Sequence, residues 1–145
     1  MQHVAIMKKS WKLTEKILSG KKKIESRWYS SKIAPWDNIH AGDVVYFKDS
    51  GDPVTIRAEV EKVLQFSLNR DKVKEILMQY GHADGIAIQD IQKSYEKLKK
   101  KKYCILVFLR NPFKITPFNI DKTGFGNMAA WIAVEDINSI KIKIA

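Results

Sequence analysis

The apolar run from His3 to Met7 predicts a short first strand. Ser10 then fits a helix N-cap, and Trp11, Thr14, Ile17 and Leu18 recur at helical spacing, with Gly20 just past the helix end. The next segment, GKKKIESRWY, changes period. Ile24, Ser26 and Trp28 fall on one side of a strand, and Lys23, Glu25, Arg27 and Tyr29 on the other. A polar loop with Pro35 leads to a turn at Ala41–Gly42–Asp43 and a strand, VVYFK. DSGDP is a turn, and VTIRAEVEKVLQF alternates at Val54, Ile56, Ala58, Val60 and Val63. The slip near Glu61–Lys62 predicts a bulge.

Asn69 or Asp71 caps a predicted helix running through Met78 and Tyr80 to Gly81. Asp90 to Lys101 reads as another helix. Tyr103 to Leu109 is a continuous apolar strand, and Phe113 to Ile120, broken by Pro117, reads as a separate edge strand. TGFGN is a turn. Ala129–Val134 and Ser139–Ile144 read as closing strands. The sum is an α+β chain of about six or seven short strands with three short helices between them, the pattern of a small barrel.

Composition adds three constraints. At 145 residues the chain reads as a single domain over 1–145 that folds without disulfide or metal. No apolar run reaches the ~18 residues of a membrane span, and the N-terminus lacks the charge order of a secretory signal. Cys104, the only cysteine, sits in the apolar run YCILVFL, which fits a reducing, cytoplasmic setting. The net charge of +10 is concentrated at the two ends. Residues 1–48 hold ten Lys/Arg against four Asp/Glu, and residues 97–145 hold ten against three. If the ends lie together, one face suits a polyanion; otherwise the lysines only keep the surface hydrated.

Catalytic motifs are scarce. His3, His40 and His82 are widely spaced and no zinc pattern exists, so no metal and no cofactor are expected. There is no GxSxG elbow and no P-loop; TGFGN holds only a lone GxG. Glu25 and Arg27 would stand about 6–7 Å apart on one strand face. They form either a surface ion pair of small worth or an acceptor beside a planar donor fork, suited to a base edge. Lys22 reaches the same mouth and is a catalytic candidate only if its pKa is lowered. Trp28, Tyr29 and Trp36 cluster in sequence; Trp36 either stacks on a base or folds back over the barrel end. Trp11 and Trp131 are assigned to the core. Lys99, Lys100, Lys101 and Lys102 either complement a helix dipole or contact phosphate.

The order helix, GKKKIESRWY, loop, IHAGDVVYF resembles the ASCH domain, a PUA-like family. Its G-x-K-x-x-E-x-R motif falls on Gly20, Lys22, Glu25 and Arg27. Its K-x-G-D-x-φ-x-F signature, with φ apolar, falls on His40, Gly42, Asp43, Val45 and Phe47, with His40 in place of Lys or Arg. The resemblance is specific over about residues 10–50 and looser to about 110. It implies a small mixed β-barrel with a cleft lined by Lys22, Glu25 and Arg27, binding RNA or a nucleotide-like ligand. The clustered aromatics Tyr29 and Trp36 are added to that ligand site on the stacking argument above. Lys21, Lys23 and Lys99–Lys102 would then attract phosphate. One branch of the family hydrolyses N4-acylated cytidines with Lys, Thr and Glu, and other members are linked to ribonuclease activity. The Lys of that branch falls on Lys22, its Thr on Glu25, and its Glu is matched to Asp84, so the set is not reproduced. An amidohydrolase or ribonuclease, with Lys22, Glu25 and Asp84 as candidates, stands as the second reading. A protein-interaction module is the third.

Overall fold

The computed structural model describes residues 1–126 and 128–142. Its strands are β1 (Gln2–Met7), β2 (Ile24–Tyr29), β3 (Val44–Asp49), β4 (Val54–Ser67), β5 (Tyr103–Ile120), β6 (Trp131–Val134) and β7 (Lys141–Ile142). The helices are α1 (Leu13–Leu18), α2 (Arg70–Tyr80) and α3 (Ile91–Leu98). The sheet order is β2-β5-β4-β3-β1-β6, with β7 paired to the far end of β5. β1 and β3 run parallel; the other pairs are antiparallel. This mixed sheet curls into a half-barrel.

Alternation along the strands builds two faces. Inward, Val45, Phe47, Ala58, Val60, Ile105 and Val107 form the main core with Ile17 of α1 and Trp131 of β6. Each large side chain removed from water here contributes about 1.5–3 kcal/mol. Outward, Ile24, Cys104 and Leu106 pack under Ile76 of α2, with Trp28 and Phe108 at the margin. α2 starts as predicted, with the Asn69 side chain accepting from the Lys72 N–H at 2.8 Å. The β4 bulge also falls where the alternation slips, between Val60 and Lys62.

Several expectations are corrected. Ser10 caps nothing: a 3-10 turn occupies Lys9–Trp11, and Lys12, in the left-handed region at φ 54°, separates it from a six-residue α1. Trp11 therefore leaves the core and is 53% exposed. The two strands expected at 103–109 and 113–120 are one, β5. Asn111, at φ 52°, and a register shift opposite Arg57–Glu59 absorb the irregularity that the prolines signal. The second predicted helix begins later and ends earlier, with a 3-10 turn at Ile88–Asp90 and α3 stopping at Leu98. The last predicted strand shrinks to β7, residues 143–144 of that expectation lying outside the described ones, as does Asn127 of TGFGN.

The half-barrel has a seam, because β2 and β6 end the path and do not pair. Arg27 spans it. Its guanidinium donates to the Ala130 carbonyl at 3.2 Å and the Ile6 carbonyl at 3.4 Å, and lies 5.1 Å from the centre of the Trp131 ring. A planar fork of donors suits two acceptors and a ring face at once.

Candidate functional site

α1 ends at Leu18 with Ser19 as its C-cap, and Gly20, at φ 81°, turns the chain toward β2. The turn is fastened to the loop after α2, where Lys23 and Ile24 N–H both donate to the Ala83 carbonyl, at 2.7 and 3.0 Å. Ahead of β2 the turn leaves Lys21 and Lys23 exposed and buries Lys22, which is 3% exposed. Gly85, at φ 84°, lets the loop close over the Lys22 stem; a Cβ there would stand 3.4 Å from that of Lys22.

Lys22 meets two carboxylates. Its ammonium donates to the Asp84 carbonyl at 2.7 Å and to the Asp84 carboxylate, and lies 3.6 Å from Glu25 Oε1. The other Asp84 oxygen accepts from Ser26 Oγ at 2.5 Å, and Ser26 accepts from Trp28 Nε1 at 3.0 Å. Burial pulls the Lys22 pKa down, but the charges of Glu25 and Asp84 outweigh it, and the net shift is above the ordinary lysine value. Burial pushes Asp84 up, and Lys22 offsets only part of that. The two carboxylates thus favour the cationic form of Lys22, and the shift runs opposite to the lowering that a lysine base needs.

Glu25 is different. It is 4% exposed and stands between two cations, Lys22 and Arg27, each 3.6 Å away. Both distances exceed hydrogen-bond reach. No described residue donates to Oε2, although that oxygen is buried. Behind it, the Arg27–Trp131 stack continues as Trp131 Nε1 donating to His3 Nδ1 at 3.0 Å, and His3 Nε2 meeting Asp43 at 2.9 Å. This assigns the proton of neutral His3 to Nε2. Burial holds the His3 pKa below the ordinary value despite Asp43.

Lys22, Glu25, Ser26 and Asp84 form the floor of a cleft of about 480 Å³ along the free edge of β2. One wall carries Trp11, Leu13 and Lys16; the other carries Asp90, the N-cap of α3, and Lys93, Ser94 and Lys97 on the helix itself, three, four and seven residues on. Trp28 closes an end.

Solved structures share this arrangement of strands and helices. ASCH from Zymomonas mobilis is 16% identical, with 99% of this chain and 98% of that chain covered, at a TM-score of 0.66. A serine-to-alanine mutant of the same protein matches at 17% identity over 95% of this chain and 91% of that one, with a TM-score of 0.67. The hypothetical protein PH0355 is 22% identical, over 79% of this chain and 100% of that one, with a TM-score of 0.53. The chain has the ASCH-domain fold. No protein-family model and no curated protein matches its sequence.

Within this ASCH fold the motif residues part ways. Lys22, Glu25 and Asp84 converge on the cleft, whereas Arg27 lies behind Glu25 in the seam and is not part of the cleft lining. Tyr29 packs against the main core. Trp36 also folds back onto that core, edge-on to Tyr103 with ring centres 5.1 Å apart, away from the cleft. Lys99 to Lys102 follow α3 without lining the cleft; Lys99 pairs with Glu96 at 2.6 Å. Cys104 is buried, and burial raises its thiol pKa. Among the described residues there is no His/Cys/Asp/Glu group that could hold a metal, and no helix is long and apolar enough to cross a membrane. Sequence reasoning missed Trp11, Lys16, Ser26, Lys93 and Lys97. The α3 stripe was readable from its spacing, but only the chain's return past β2 shows what it faces.

Proposed function

We propose that this domain binds RNA or a nucleotide through the cleft along β2, with Glu25 accepting a hydrogen bond from a base amino or ring N–H group. The observation that carries the reading is Glu25 itself: a carboxylate on the cleft floor, buried, with no donor within reach of Oε2. A buried carboxylate without a donor is costly, and a ligand N–H would satisfy it. Trp11 and Trp28 supply aromatic walls of the kind on which unstacked bases settle. Lys22 takes a supporting role, since its ammonium is engaged by Asp84 and Glu25. The engaged Lys22 leaves Asp84, whose pKa burial raises, as the group the hydrolase reading would turn on.

The test is NMR titration with the four nucleosides and short single-stranded RNAs, with the same samples checked for product by chromatography. Glu25→Gln should weaken binding of cytidine or adenosine about tenfold, roughly one charge-assisted hydrogen bond. Unchanged affinity in that variant, or no chemical shift change with any nucleoside or RNA, would sink the reading. Product formation lost in Asp84→Asn would move the protein to the hydrolase class.

A further inference from the structure

A second pocket of about 470 Å³ adjoins the cleft, and the two share Lys16, Gly85, Ile86 and Ala87. Its remaining wall includes Lys21, Lys23 and His82 and contains no carboxylate. Among the described residues none of Lys16, Lys21 and Lys23 takes part in an ion pair, whereas Lys22 beside them is paired. Lysines past a helix end often serve its unpaired carbonyls. Here that work is already done. The Glu15 carbonyl accepts from Ser19 N–H at 3.0 Å, that of Lys16 from Lys22 N–H at 3.0 Å, and that of Ile17 from Gly20 N–H at 3.2 Å.

The two pockets therefore differ in sign. On the cleft floor Lys22 is balanced by Glu25 and Asp84, and a phosphate would meet two carboxylates. Next door the cations are uncompensated. We propose that this second pocket is a phosphate subsite, so that the ligand class is a base carrying a phosphate, either a free nucleotide or an RNA backbone, and not a bare nucleoside. Lys21 and Lys23 bind it, and Lys16 stands between base and phosphate. The Gly20 turn sorts three consecutive lysines into these two jobs: Lys22 for the floor, and its neighbours for the phosphate. The inference deepens the reading of the cleft and rests on it for the base half of the ligand.

The experiment is a calorimetric comparison of nucleosides, their 5′-monophosphates, a 5′-hydroxyl RNA trimer and inorganic tripolyphosphate, on the full chain and on the double variant K21A/K23A. Lys21 and Lys23 are exposed, so the variant retains the fold; circular dichroism checks this. The expected result is a monophosphate affinity at least tenfold above that of its nucleoside, with that ratio falling toward one in the variant. Preference for the monophosphate assigns the phosphate to a free nucleotide, and an equal or larger gain for the trimer assigns it to RNA. A ratio near one in the parent chain, or a ratio untouched by the double substitution, overturns the subsite. Tripolyphosphate binding that depends on Lys21 and Lys23, in the absence of any nucleoside binding, would keep the subsite and remove the base reading.

Discussion

Replacing Lys22 by Met is the sharpest physical test of the cleft. Met keeps the stem that packs under Gly85 and deletes the charge. Asp84 then loses both Lys22 hydrogen bonds and keeps only Ser26, while Glu25 keeps only Arg27 at 3.6 Å. Removing one partner from a buried ion pair costs about 3–5 kcal/mol. Spread over 145 residues, that lowers Tm by roughly 10 °C. The pH dependence carries the mechanism. In the parent the Lys22 pKa is raised, so its contribution is full below the ordinary lysine value and fades as pH climbs through the folded one. The variant lacks that alkaline decline. Its Asp84, already raised by burial, is raised further, so the folded state takes up a proton more readily than the unfolded one. Its deficit should therefore shrink from pH 7 to pH 5. Urea unfolding at the two pH values measures this, and Asp84→Asn added to Lys22→Met should restore part of the loss. A deficit under about 1 kcal/mol, or one equal at both pH values, would refute the idea that Lys22 holds these carboxylates together.

Two further outcomes test the frame behind the cleft. Arg27→Lys keeps a charge but not the fork that reaches Ala130, Ile6 and Trp131, and should cost about 1.5–3 kcal/mol in urea unfolding; parent-like stability would show that the seam is held without it. His3 is fully buried, with Asp43, the N-terminal amine and His40 the ionisable groups around it. A lowered folded pKa means that the unfolded chain binds the extra proton first, so stability should fall below pH 6.5, at up to about 1.4 kcal/mol per pH unit, until the folded value is reached. His3→Gln should flatten that window in unfolding curves at pH 7.5 and 5; an unchanged slope would place the acid sensitivity elsewhere.

How much of this was legible in the chain depended on range. Where one element settles the matter, the pattern was enough: the Asn69 cap, the β4 bulge and the alternation of β2 all stand where they were read. Trp11 fails that test because helical spacing assumes an unbroken helix, and Lys12 in the left-handed region breaks it. β5 fails because prolines in a strand say where a ladder bond is missing, not whether the strand goes on. Asp84 was reachable only through resemblance: it lies 62 residues from Lys22, and no local period joins them. Arg27 shows the limit of face assignment. It shares a face with Glu25, as alternation requires, yet serves the seam because the barrel curls the far edge of the sheet toward it.

That geometry answers why a carboxylate stands among so many cations. Glu25 could satisfy Lys22 or Arg27 outright by closing to hydrogen-bond distance. It does neither, because each cation has another master: Asp84 holds Lys22, and the carbonyls of Ala130 and Ile6 with the Trp131 face hold Arg27. The two cations therefore supply electrostatic support without occupying the acceptor. A carboxylate stabilised by charge but left without a donor is poised for a neutral N–H, which adds a hydrogen bond without displacing either ion pair. It is poorly suited to a second anion. On the proposed reading, the floor takes neutral donors and Lys21 and Lys23 take the anion, which is the division a nucleotide would require.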